Sequence, residues 1–158
     1  MTVGDTFDPV AAARAVIAAA ATGALATLGR DGSPFASLVT MAHDADGAPL
    51  VLLSDLAEHT RNLTADARAS LLVVAPGGES GNPLAGTRVS LVGTIARHDD
   101  EDARRIFLAR RPEAARSATF ADFRLYRMAI RRAHLVAGFG RIVDIEGERL
   151  LGGGTPAA

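Results

Sequence analysis

The chain has 158 residues, 48% of them apolar and 22% charged, a size and balance that suit one globular domain and exclude wholesale disorder. It has no cysteine, so disulfides and thiolate metal sites are excluded. A net charge of −1 supplies no general attraction to nucleic acid or to an anionic membrane, and neither is expected as a partner.

The first predicted element is a helix with Asp8 as N-cap and Pro9 at its first position, where the missing N–H is harmless. It is expected to run through Ala21, with Gly23 suited to a left-handed cap. The alanine-rich run 11–21 is broken by Arg14 and is too short to span a bilayer. No leader pattern is read, so a cytoplasmic protein is expected. Strands at 24–28, 35–43 and 49–53 read as an antiparallel meander, with turns at Asp31-Gly32 and at residues 44–47. A polar stretch, 55–67, is helical at least around 60–65, and 69–75 is a continuous apolar strand. Residues 76–86 form a loop rich in Gly, Pro and Ser, and 88–97 is the next strand. Asp99 or Asp100 caps a helix ending at Arg110, and a second short helix begins at Pro112. The last predicted strands are 123–130 and 135–142. The domain is expected to occupy 1–151, and the tail 152–158 has no reason to order. Six or seven short strands with peripheral helices predict an α+β fold, an antiparallel split β-barrel rather than a parallel doubly wound sheet. Neither glycine-rich phosphate-binding motif occurs.

The richest segment is 53–63, where a strand ends in Ser54 and a helix starts beside His59, Thr60 and Arg61. Free N–H groups, hydroxyls and a guanidinium there suit a phosphate; a capped surface helix with solvated charges has the same composition. Arg88 shares a strand face with Ser90, Val92 and Thr94, while Val89, Leu91 and Ile95 face the other way. It could serve a ligand or pair with a carboxylate at the rim. The four histidines lack metal-binding spacing, and no serine sits in a nucleophile elbow. All 17 residues counted as Lys or Arg are arginine, so any anion held by a side-chain cation is held by Arg or His.

These pieces resemble the FMN-binding split-barrel superfamily of pyridoxamine-phosphate oxidase over about residues 9–145. The resemblance is carried by Asp31-Gly32-Ser33-Pro34 leading to Ala36-Ser37-Leu38-Val39, by Leu53-Ser54…Glu58-His59-Thr60-Arg61-Asn62-Leu63…Ala69-Ser70-Leu71-Leu72, and by Pro83-Leu84-Ala85-Gly86-Thr87-Arg88-Val89. Phe123-Arg124-Leu125-Tyr126-Arg127 and Gly138-Phe139-Gly140-Arg141 are similar to its haem-utilisation branch. The resemblance implies a homodimer with FMN held between subunits. Strand Ala36–Met41, with Ser37, Leu38, Val39 and Thr40, would line the flavin ring by backbone contacts, Ser54, His59, Thr60 and Arg61 would meet the phosphate, and Leu53 belongs to the same cofactor-binding set. Arg88 falls where the oxidases place a glutamine against the ring. The second strand carries Ala36 and Met41 where those oxidases have basic residues, so vitamin B6 oxidation is not implied. The extra C-terminal domain of haem-degrading members is expected to be lacking. The expected function is an FMN-dependent oxidoreductase of a small molecule. The alternatives are haem binding or degradation with a histidine ligand, a flavin carrier or sensor, and deazaflavin use. No residue stands out as a general acid or base.

Overall fold

The computed structural model describes residues 6–76, 80–138 and 140–152. The predicted tail from 153 onward, and Phe139 of the Gly-Phe-Gly motif, lie outside them. Helix α1 spans Pro9–Ala19, with the Asp8 carboxylate accepting from the N–H groups of Val10 and Ala11. Its Ala13, Val16 and Ile17 are buried. The guanidinium of Arg14 donates to the carbonyls of Arg149, Leu150 and Leu151, and so ties α1 to the far end of the described chain.

The strands are β1 (Thr22–Leu28), β2 (Pro34–His43), β3 (Pro49–Ser54), β4 (Arg68–Val74), β5 (Thr87–Arg97), β6 (Phe123–Ala137) and β7 (Ile142–Glu146). All pair antiparallel, in the order β3-β2-β1-β4-β5-β6, and β3 pairs with β6 to close the barrel. Strand β7 is added outside, on the second half of β6. The helices are α2 (Glu58–Ala65), α3 (Glu101–Arg110), α4 (Ala115–Ala118) and α5 (Gly147–Leu150), with a 3₁₀ turn at Pro112–Ala114. The α+β split barrel predicted from the strand pattern is the fold observed. Among the described residues no helix is long and apolar enough to cross a membrane.

Three local expectations change. Helix α1 ends at Ala19 with an extended Ala20 as C-cap, and Gly23 lies inside β1. A Cβ on Gly23 would come within 2.9 Å of Leu71 Cδ1, so the glycine serves close packing rather than a left-handed cap. The predicted break near Arg131-Arg132 is absent, because β6 continues through a bulge at Arg131, the extra residue opposite Val92 and Gly93 of β5. Strand β7 begins where the last predicted strand was to end. Its exposed Ile142, Asp144 and Glu146 alternate with the inward Val143 and Ile145, a short and polar pattern.

Two apolar clusters result. The barrel interior holds Leu25, Met41, Leu53, Leu71, Leu91 and Met128, among others. A second cluster, built from Ala42, Leu50, Leu52, Ala103, Phe107 and Leu125, lies where α3 meets the outside of β2 and β3. Strand β3 therefore serves both, which explains why Leu50 to Leu53 form an unbroken apolar run.

Candidate functional site

The segment read as a phosphate cradle folds into a self-braced corner between β3 and α2. The Ser54 hydroxyl donates to Asp122 Oδ2 at 2.5 Å and accepts from the Leu56 N–H at 3.1 Å. Thr60 Oγ1 donates to the Ser54 carbonyl at 2.6 Å, and Arg61 Nη1 to the Leu56 carbonyl at 2.9 Å. The Ser54 and Thr60 hydroxyls and one nitrogen of Arg61 are already engaged, and a carboxylate sits on Ser54, where an incoming phosphate would meet a like charge. His59 points elsewhere: its Nδ1 lies 2.9 Å from the Ser37 hydroxyl. Partial burial of that imidazole pushes its pKa below the ordinary 6.5. Asn62, given no site role in the sequence reading, is buried and donates to Thr27 Oγ1 at 3.1 Å, which fastens α2 to β1.

Val39 and Leu53 have side chains buried in the barrel core, so only their backbone could meet a ligand. Leu38 and Thr40 alternate to the outer face of β2, where Leu38 is 76% exposed. Arg88 also lies on the outer face, paired with Val74 and Val136, and its Nη1 donates to the Leu84 carbonyl at 3.1 Å. The predicted residues thus divide between the corner, the core and the outer sheet surface.

That outer surface carries features that sequence reasoning missed. Leu38, Ala24, Leu72, Ser90, His134 and Asp144 form one row of cross-strand pairs from β2 to β7. Val74, Arg88, Val136 and Ile142 form the next row. Leu38, Leu72, Val74 and Ile142 are all exposed large apolar residues, an unusual concentration on one sheet face. Toward the other end of the same strands lies a cleft of about 730 Å³. Ala26, Leu28, Val92 and Ile130 contribute apolar lining, and Arg68 and Arg131 supply cations. Arg68 is held by Asp66 at 2.6 Å, which draws that carboxyl down to about 2. Arg131 makes no hydrogen bond or ion pair among the described residues. His134 Nδ1 stands 2.8 Å from Asp144 Oδ1, and Arg132 approaches the same oxygen at 3.8 Å.

A second cleft, of about 580 Å³, lies between α2 and β5 and is lined by Asp55, Thr60, Arg61, Arg97 and Tyr126. Burial, with the nearby Asp55 carboxylate, raises the Tyr126 phenol above its ordinary value of 10. Thr60 and Arg61 are the two predicted site residues that line it.

A family model described as pyridoxamine 5′-phosphate oxidase matches residues 10–137. The chloroplastic heme oxygenase HOZ of Arabidopsis thaliana is 32% identical over 137 residues, which cover 84% of this chain and 41% of that protein. A solved heme binding protein from Mycobacterium smegmatis superposes with a TM-score of 0.84 at 37% identity, over 91% of this chain and 60% of that one. The protein Atu2129 of Agrobacterium tumefaciens, of unknown function, gives 0.81 at 29% identity, over 95% and 63%. The chain spans 41% to 63% of the length of these relatives.

Proposed function

The chain belongs to the pyridoxamine 5′-phosphate oxidase family, and from that premise we propose that it binds haem on the outer face of its barrel, with a second copy of the chain closing over it. The cleft of about 730 Å³ on that face carries the reading. A flat macrocycle bearing two carboxylates needs apolar surface for its body and cations for its acid groups. Ala26, Leu28, Val92 and Ile130 meet the first need, and Arg131, free of internal partners among the described residues, meets the second. Bound haem supplies one-electron and oxygen chemistry, and the chain's part is to shield and orient it. The relatives at 32% and 37% identity, described as a heme oxygenase and a heme binding protein, support the choice of ligand. Only binding is proposed, since this chain spans 41% and 60% of them.

The second copy follows from Leu38, Leu72, Val74 and Ile142, which a single barrel leaves in water. Sedimentation at micromolar concentration is expected to give a dimer, and Leu38→Glu combined with Ile142→Glu to give monomer. The decisive measurement is a haemin titration of the purified protein followed in the Soret region. Saturation near one haem per chain is expected, and Arg131→Gln should weaken it by roughly tenfold through one lost charged hydrogen bond. A Soret band indistinguishable from haemin in buffer would overturn the reading.

FMN is the second reading, favoured by the family and by the open outer surface of β2 at Leu38 and Thr40. The Asp122 carboxylate on Ser54 weighs against a phosphate at the predicted corner. Flavin absorbance in protein purified without added cofactor would favour FMN, or a deazaflavin if the spectrum is blue-shifted. Turnover with a reduced nicotinamide would then separate an oxidoreductase from a carrier or sensor.

A further inference from the structure

We propose that the cleft of about 580 Å³ between α2 and β5 is a second binding site, for a small carboxylic acid with an apolar body, whose carboxylate is held by Tyr126 and the guanidiniums of Arg61 and Arg97. Tyr126 carries the inference. It belongs to the barrel-interior cluster and is 7% exposed, yet its hydroxyl has no hydrogen-bond partner among the described residues. No fully buried side-chain oxygen or nitrogen among those residues lacks a partner. The hydroxyl is therefore the part of the ring that reaches solvent, and it does so in the cleft that the ring lines. A buried phenol with its donor unspent at a cavity wall is a polar handle for whatever enters. Burial and the nearby Asp55 carboxylate keep the phenol protonated, so it donates.

The rest of the wall fits an anionic head on an apolar body. Arg97 is the direct cross-strand partner of Tyr126, so both side chains leave the same face of the sheet. Arg97 spends Nε on Asp99 at 2.8 Å and Arg61 spends Nη1 on the Leu56 carbonyl, which leaves each guanidinium with further N–H groups. Thr60 and Thr64 each donate their hydroxyl to a backbone carbonyl and have no proton to offer a ligand. The buried Leu63 and Ile95 supply apolar wall. Among the lining residues two guanidiniums face one carboxylate, Asp55, a surplus of one positive charge that suits a monoanion. Asp99 on Arg97 lowers that surplus further and disfavours a phosphate dianion. Ser54 and His59, expected to meet a phosphate at the β3–α2 corner, do not line this cleft, and it shares no lining residue with the cleft of about 730 Å³.

Isovalerate, which does not absorb in the near ultraviolet, is the probe. Tyr126 is the only tyrosine and there is no tryptophan, so the near-ultraviolet difference spectrum reads that one phenol. Titration with isovalerate should give a saturable shift to longer wavelength as the hydroxyl takes an acceptor, and isovaleramide should give none. Affinities of the variants follow from ligand-observed NMR. Tyr126→Phe, which keeps the ring in the core, and Arg97→Gln, at an exposed position, should each weaken isovalerate binding roughly tenfold through one lost charged hydrogen bond. Butyl phosphate should bind the wild type more weakly than isovalerate does. Tighter binding of butyl phosphate would overturn the carboxylate assignment in favour of a phosphate. Wild-type affinity in Tyr126→Phe would place the acid elsewhere and overturn the site, as would the absence of a saturable shift in the wild type. None of these readouts depends on haem uptake, so the site and the haem reading fail separately.

Discussion

Arg111 Nε donates to the Met41 carbonyl at 2.7 Å across a separation of 70 residues, and its Nη2 donates to the Ala20 carbonyl. One guanidinium at the end of α3 thereby terminates α1 and steadies β2 together. Arg111→Ala would leave two carbonyls of poorly accessible residues without their donor. A loss of about 3 kcal/mol is expected, from charged hydrogen bonds contributing about 1.5–3 kcal/mol each. Urea unfolding should show a lower midpoint with an unchanged slope.

Gly93 and Gly32 are predicted to respond to alanine for different reasons. A Cβ on Gly93 would fall 1.9 Å from the Ala129 carbonyl oxygen, in a closed barrel whose backbone cannot retreat. Gly93→Ala should lower the melting temperature by roughly 10 °C or prevent folding, consistent with about 3 kcal/mol or more. Gly32 has φ +81° with nothing within 4 Å of the added atom. Gly32→Ala should cost only about 1–2 kcal/mol, the conformational penalty alone.

His59 predicts an acid-side loss of stability. Its pKa is lowered in the folded protein by burial, while the unfolded chain keeps the ordinary 6.5. The unfolded state therefore takes up the proton first, and stability falls as pH drops below about 6.5 toward the folded value. His59→Gln should flatten the pH dependence of the unfolding midpoint between about pH 7 and 5. An identical slope in the variant would remove His59 from this role.

Tyr126 is the only tyrosine, and there is no tryptophan, so its phenolate absorbance can be titrated without overlap. The midpoint should lie above 10, because burial and the Asp55 carboxylate both disfavour the anion. Asp55→Asn should lower it, and Arg97→Met should raise it, since Arg97 favours the anion.

The barrel was legible in the sequence because its strands are apolar, short and separated by Asp-Gly turns or Gly/Pro loops, and because Asp8 and Asp100 are capping residues that perform as expected. The site was legible only in part. Arg88 was correctly placed on the face of Ser90, Val92 and Thr94, since alternation along one strand needs no partner. The bracing of Ser54 by Asp122, 68 residues away, could not be read from local composition. Nor could His134 and Asp144 be paired while β7 went unrecognised, because ten residues of separation mean contact only if a hairpin with that register joins them.

The separation of the second apolar cluster from the barrel interior has a consequence for how the molecule opens. Ala103, Phe107, Ala114 and Ala118 pack against Ala42, Leu50, Leu52, Leu125 and Phe123 on the outside of the barrel, while the barrel's own hydrogen-bond ladder closes without them. Amides of α3 and α4 should therefore exchange with solvent deuterium through a partial opening that leaves the barrel protected, at a lower free energy than β1, β4 and β5 require. Two exchange regimes in one small chain would mark the helical cap as its own cooperative unit.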